Sequence, residues 1–189
     1  EVFSVIIGFC NGGGIYGVDR QVKGKKKEVF AIVGYYVDKE DTPMYSKEYL
    51  PTLIHEFNHS FINHYLDEDK YPAHVTELEP AAVDLFKSSQ WSMSRQAYNN
   101  WKTMVNESLV RAAVICYMLD KAYKPEEVRN ELLEQMQRNF RWMPELVSLL
   151  RKYEKKQSKY GNFENFYPNV IDFFKGYAQK ENERFEAIK

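Results

Sequence analysis

Leu53-Ile54-His55-Glu56-Phe57-Asn58-His59-Ser60-Phe61 is an apolar, helix-periodic segment that carries the pattern His-Glu-x-x-His. Four steps of about 100° nearly close a turn, so the imidazoles of His55 and His59 leave a helix on one side. Two imidazoles so placed can grip one zinc ion, and Glu56 is placed to take a proton from zinc-bound water. The five-residue pattern alone also occurs on surface helices, so its surroundings matter. Pro51 fits a first helical turn, with Ser46 or Tyr49-Leu50 leading in. Ile54, Phe57, Phe61 and Tyr65 recur at helical spacing as a buried stripe, and beside it the histidines face an interior cleft. The chain has 4 histidines, and two at this spacing around a glutamate argue against coincidence. The segment points to one zinc ion per chain.

A catalytic zinc usually has three protein ligands and a water, so a third ligand is needed. An extended HExxHxxGxxH pattern fails, because Ile62 and Tyr65 occupy its glycine and last histidine positions. His64 stands nine steps after His55, about 180° around a helix. A glutamate from a later helix remains, and Glu77, Glu79 and Glu107 are the candidates. Glu77 and Glu79 have suitable spacing, but Thr76 to Glu79 also reads as a capping box. Glu107 leads into a helix that becomes apolar all round after Ser108, where a carboxylate needs a partner. That partner can be zinc, or Arg111 one turn on through an i,i+4 ion pair, or both, with Arg111 orienting the ligand. The residues favour Glu107 and leave Glu77 and Glu79 open.

His55-Glu56-Phe57-Asn58-His59-Ser60-Phe61, followed by Asn106-Glu107-Ser108-Leu109-Val110-Arg111-Ala112, resembles the gluzincin type of zinc metallopeptidase. More narrowly, the chain is similar to a bacterial family with HEFxHxF and NExxVRA motifs and a glycine-rich stretch like Gly12-Gly13-Gly14-Ile15-Tyr16-Gly17. The resemblance covers about residues 1 to 120. It implies His55, His59 and Glu107 as ligands of one Zn2+, Glu56 as general base and a peptide or protein substrate. It also implies export to the cell envelope or beyond. It does not reach the segment from Lys124 onward.

The expected fold is α+β and mostly helical. It is zincin-like, with a small N-terminal sheet, the HExxH helix, a glutamate helix and C-terminal helices. Residues 1–123 form the expected metallopeptidase domain, and 124–189 a helical extension packed on it. Val2 to Phe9 and Glu28 to Val37 read as strands, with Asn11 to Gly17 a flexible turn between them. The second strand is either an edge strand that hydrogen-bonds an extended substrate or an ordinary core strand. Helices are expected from about Thr76 to Lys87, Tyr98 to Tyr123, Pro125 to near Phe140, Met143 to Lys156 and Phe163 to Ala187. Pro168 disturbs the last of these, and Phe163, Phe166, Tyr167, Phe173 and Phe174 read as core.

Composition narrows the function classes. Lys and Arg number 26 against 27 acidic residues, which gives no pull toward nucleic acid. The lysines around Gly24, between Arg20 and Lys27, read as a solvated hairpin loop. No run approaches a transmembrane helix. Cys10 and Cys116 are too few for a disulfide framework, and Cys116 reads as a buried apolar residue. Glu1 follows no Met or hydrophobic leader, so the sequence reads as a trimmed mature form.

The expected activity is peptide-bond hydrolysis by metal-activated water, with Glu56 as base. His64, His74, Tyr117 and Tyr123 are candidates for stabilising the oxyanion. Two other readings remain. One is a binding module on a peptidase fold, against which the intact His-Glu-His set argues. The other is a structural zinc protein, with Glu79 or His74 closing the site.

Overall fold

The computed structural model describes residues 1–11, 14–44 and 49–189, with backbone alone for Tyr36 and Met44. Gly12 and Gly13 of the glycine-rich stretch, and Ser46 as a lead-in to the first helix, lie outside the described residues. The architecture is α+β and 64% helical, with a small N-terminal three-stranded sheet followed by helices. Two compact units divide the chain, Glu1–Asn63 and His64–Lys189.

In the first unit, β1 (Val2–Ile7), β2 (Ile15–Arg20) and β3 (Glu28–Val33) form a sheet of order β1-β3-β2. β1 runs parallel and β2 antiparallel to β3. Alternation in β3 buries Val29, Ala31 and Val33 and leaves Phe30 and Ile32 half-buried, as a pleated strand requires. Because β3 is central, both of its edges are engaged, so it is a core strand and not an edge for substrate. Its expected continuation to Val37 breaks after Val33. Tyr36–Val37 (β4) instead pairs antiparallel with Pro43–Met44 (β5). The expected flexible turn to Gly17 also ends early, because β2 begins at Ile15. Asn11 Nδ2 donates to Gly14 O at 2.7 Å just before β2.

The lysine cluster is the hairpin loop between β2 and β3. Gly24 supplies its positive φ of 77°, and Lys23, Lys25 and Lys26 are exposed. Lys27 turns back instead. It pairs with Asp19 at 2.7 Å and donates to Ser60 O at 3.0 Å in the last turn of the following helix. A cation there opposes the negative end of the helix dipole.

That helix, α1, spans Leu50–Ile62, with Pro51 in its first turn as expected. Phe57 and Phe61 meet Phe3 of β1 at ring distances of 5.2 and 5.9 Å. Gly17 of β2 lies beneath α1, where a Cβ would stand 2.2 Å from Glu56 O. The expected stripe is only partly buried. Glu56 and Ile62 are the buried residues of α1, whereas Phe61 is 39% exposed. α1 ends before Tyr65, which is buried in a 3-10 turn, Asn63–Leu66.

The second unit is helical. α2 spans Pro72–Arg95 and α3 Trp101–Asp120. α4 (Pro125–Gln137), α5 (Met143–Lys155), α6 (Gln157–Tyr160) and α7 (Phe163–Glu186) follow. α2 starts at Pro72, four residues before the expected Thr76, because proline's fixed φ suits a first helical position. Thr76 is therefore inside the helix, and its capping box with Glu79 does not exist. Asn100 and Asn162 cap α3 and α7 by accepting from Thr103 N and Asn165 N at 2.8 and 2.9 Å. Glu127 accepts from Lys124 N at 2.8 Å at the head of α4. Pro80 and Pro168 both lie inside helices, on exposed faces.

The core of this unit joins residues from both sides of Lys124. Trp142 Nε1 donates to Ser108 Oγ at 3.0 Å, and Ser108 Oγ donates to Met104 O at 2.7 Å. Phe166, Tyr167 and Phe174 are buried, and Phe163 and Phe173 half-buried, so the C-terminal aromatics are core packing. Cys10 is exposed and Cys116 buried, both as free thiols. Among the described residues, no helix is long and apolar enough to cross a membrane.

Candidate metal centre

α1 places His55 and His59 one turn apart, with Glu56 between them in sequence and 8% exposed. The two rings stand at 80° to each other, and their Nε2 atoms face across 3.2 Å. Two nitrogens each about 2.0–2.1 Å from one zinc ion, at a tetrahedral angle, lie about 3.3 Å apart. The pair therefore fits zinc. His59 Nδ1 stands 3.2 Å from Asn63 Oδ1. The tautomer with its proton on Nδ1 donates there and presents the Nε2 lone pair to a metal. Sequence reading did not identify Asn63, although its i,i+4 spacing from His59 was available.

Two features of the first unit fix the height of α1 above the sheet. Gly17 admits the Glu56 backbone against β2, and Phe3 supports Phe57 and Phe61. Both act on the residues that carry the motif or flank it.

In the second unit, α3 carries Glu107 at 8% exposure. Tyr98 donates its hydroxyl to Glu107 Oε2 at 3.0 Å, and Arg111 Nη2 lies 3.2 Å from the same oxygen. Arg111 Nη2 also donates to the Tyr98 hydroxyl at 2.6 Å, and Nη1 donates to Gln135 Oε1 at 2.9 Å. Gln135 Nε2 continues to Glu131 Oε1 at 2.6 Å. Burial raises the pKa of the Tyr98 phenol, with Arg111 lowering and Glu107 raising it in smaller measure. The expected Glu107–Arg111 pair is present. Tyr98 and Gln135 were missed, because no periodic spacing links them to Glu107.

Glu77 and Glu79, the other candidate ligands, are exposed on α2, and Glu77 pairs with Lys175 at 3.1 Å. A buried carboxylate held by two donors suits a metal better than either, since its orientation is already fixed. The four oxyanion candidates all lie in the second unit. Tyr117 is ten residues beyond Glu107 on α3, about 15 Å along the axis, and the Tyr123 ring lies 6.3 Å from that of Tyr117. His74 stacks between Tyr71 and Tyr167 at 4.9 and 4.6 Å, and its Nδ1 faces Tyr65 O at 3.2 Å. His64 sits in the 3-10 turn, its ring 4.1 Å from that of Tyr65.

A family model described as a domain of unknown function, DUF4932, matches residues 16–173, and the chain belongs to that family. The match takes in His55, Glu56, His59, Glu107 and Arg111 and runs on through α4, α5 and α6 into α7. No curated protein and no solved structure matches the chain.

Proposed function

We propose that this DUF4932 protein is a zinc-dependent peptidase of gluzincin type with a zincin-like fold. His55, His59 and Glu107 hold one zinc ion, and Glu56 is the general base. The observation that carries the reading is the 3.2 Å separation of the two Nε2 atoms, close to that of two nitrogens on one tetrahedral ion. A buried glutamate beside those histidines in sequence supports it.

When bound, zinc acidifies water and polarises a carbonyl that it contacts. The remaining work belongs to side chains. Glu56 takes the proton of the attacking water and returns it to the departing amine, so that one carboxylate serves both halves of the reaction. Asn63 accepts from His59 Nδ1 and holds the ring's orientation. Arg111 and Tyr98 hold the Glu107 carboxylate, with Arg111 in the orienting role that its spacing implied. The substrate class is a peptide or protein.

Zinc content and Glu56→Gln together test the reading. Protein purified without added metal should carry one zinc per chain, or take one up on stoichiometric addition. Glu56→Gln should keep the metal and the fold, while cleavage of an unbiased peptide library falls about a hundredfold or more. Equal turnover by the two proteins rejects Glu56 as base. Failure to bind zinc under any loading condition rejects the metal site.

A further inference from the structure

We propose that Tyr98 is a positioning residue that keeps Arg111 from consuming the charge of Glu107, so that the carboxylate stays available to a metal. The inference rests on the zinc reading of Glu107 and adds a residue outside both sequence motifs.

The geometry is specific. Charge-assisted N–H···O bonds settle at about 2.7–2.9 Å, yet Arg111 Nη2 stops 3.2 Å from Glu107 Oε2. The shorter contact of that same nitrogen is to the Tyr98 hydroxyl, at 2.6 Å. The phenol accepts from the guanidinium and donates to Glu107 Oε2 at 3.0 Å. The three atoms close a triangle whose longest side is the direct ion pair, so the neutral phenol shares Nη2 with the carboxylate and keeps the i,i+4 pair from tightening. Tyr98 and Arg111 both approach Oε2, from two different elements of the chain.

The phenol is itself anchored. The Tyr98 ring lies 6.2 Å from that of Phe140, and the Arg111 guanidinium lies over Phe140 at 5.2 Å. Gln135 on α4 accepts from Arg111 Nη1 at 2.9 Å and holds the far end of the guanidinium. Removing the hydroxyl alone leaves the ring packing in place and lets Arg111 close on Oε2, where it competes with a metal for the same negative charge.

The test is the zinc dissociation constant of the full chain, measured by competition with a chromophoric chelator, alongside the visible spectrum of the cobalt(II)-loaded protein. Tyr98→Phe should weaken zinc binding about ten- to a hundredfold, and its cobalt bands should shift as ligand geometry changes. Gln135→Met frees the far end of Arg111 and should weaken binding in the same direction, by less. A Tyr98→Phe protein that melts at a lower temperature but holds zinc within twofold of the wild type overturns the proposal, since that is what a merely structural tyrosine would do. Should Tyr98→Phe not fold, unchanged affinity in Gln135→Met overturns it. If the wild type binds neither zinc nor cobalt, the zinc reading falls first and this inference falls with it. That outcome is distinct from a wild type that binds and a variant that matches it.

Discussion

Gly17 of β2 passes so close under the backbone of Glu56 that a Cβ on it would stand 2.2 Å from the glutamate's carbonyl oxygen. Real Cβ atoms do not approach that closely. The atom it would meet is backbone, which cannot swing aside as a side chain can. The glycine thus sets the position of the residue flanked by the two histidines.

Gly17→Ala should therefore force α1 away from the sheet. Overpacking of this kind costs about 1–3 kcal/mol, to be read as a lower midpoint in urea unfolding. Zinc affinity should fall as well, because His55 and His59 ride on the displaced helix. An unchanged midpoint would show that the helix yields at no cost.

Glu107→Ala should abolish tight zinc binding, whereas Glu77→Ala and Glu79→Ala should leave it intact, as both side chains are exposed on α2. Arg111→Ala should weaken binding more modestly than loss of the ligand itself, as removal of an orienting partner does. Equilibrium dialysis against limiting zinc separates the cases. Retention by Glu107→Ala with loss in Glu79→Ala would move the third ligand to α2.

Asn63→Ala removes the acceptor facing His59 Nδ1 at 3.2 Å. Metal affinity should drop about tenfold, near the lower end of the range for such orienting partners, because Asn63 is exposed and water can replace it. Asn63→Asp should hold affinity at or above the wild-type value, since a carboxylate accepts the same hydrogen bond. Isothermal titration with zinc measures both. Equal affinities in all three proteins would remove Asn63 from the site.

Burial pushes the Cys116 thiol up to about 12 and the Tyr65 phenol up to about 12, and it raises Tyr167 further. These groups bind their protons more tightly folded than unfolded. Their contribution is complete below the unfolded values near 9 and 10, and it is lost as pH rises toward 12. Stability should accordingly decline on the alkaline side. At pH 8 a thiol reagent should label Cys10 and spare Cys116 in the native protein. Labelling of both at equal rates would contradict the burial of Cys116.

The part of the candidate site on α1 was legible because helical geometry converts sequence spacing directly into direction. His55, Glu56 and His59 needed nothing more than the period of the helix, and the Glu107–Arg111 pair likewise came from one turn. Tyr98 escaped because it reaches Glu107 from the connection between α2 and α3, a relationship set by chain path rather than period. The start of α2 was misplaced for a related reason. Thr76 and Glu79 form a valid capping pattern, but Pro72 satisfies the first-turn geometry a full turn earlier, and local patterns do not rank themselves. The strand order could not be read at all. β1 pairs with β3 on the side opposite its hairpin partner β2, and nothing in the alternation of Glu28–Val33 states which neighbour lies on which side.

Pro80 and Pro168 have a further consequence, in time rather than space. Each lacks the amide that would bond the carbonyl four residues earlier, at Thr76 and Glu164, and each faces solvent. α2 and α7 are thereby each scored into a short N-terminal piece and a longer remainder, and the short pieces can open without disturbing the ladder beyond. Amide hydrogen exchange should register this as a step, with faster exchange before each proline and slower exchange after it.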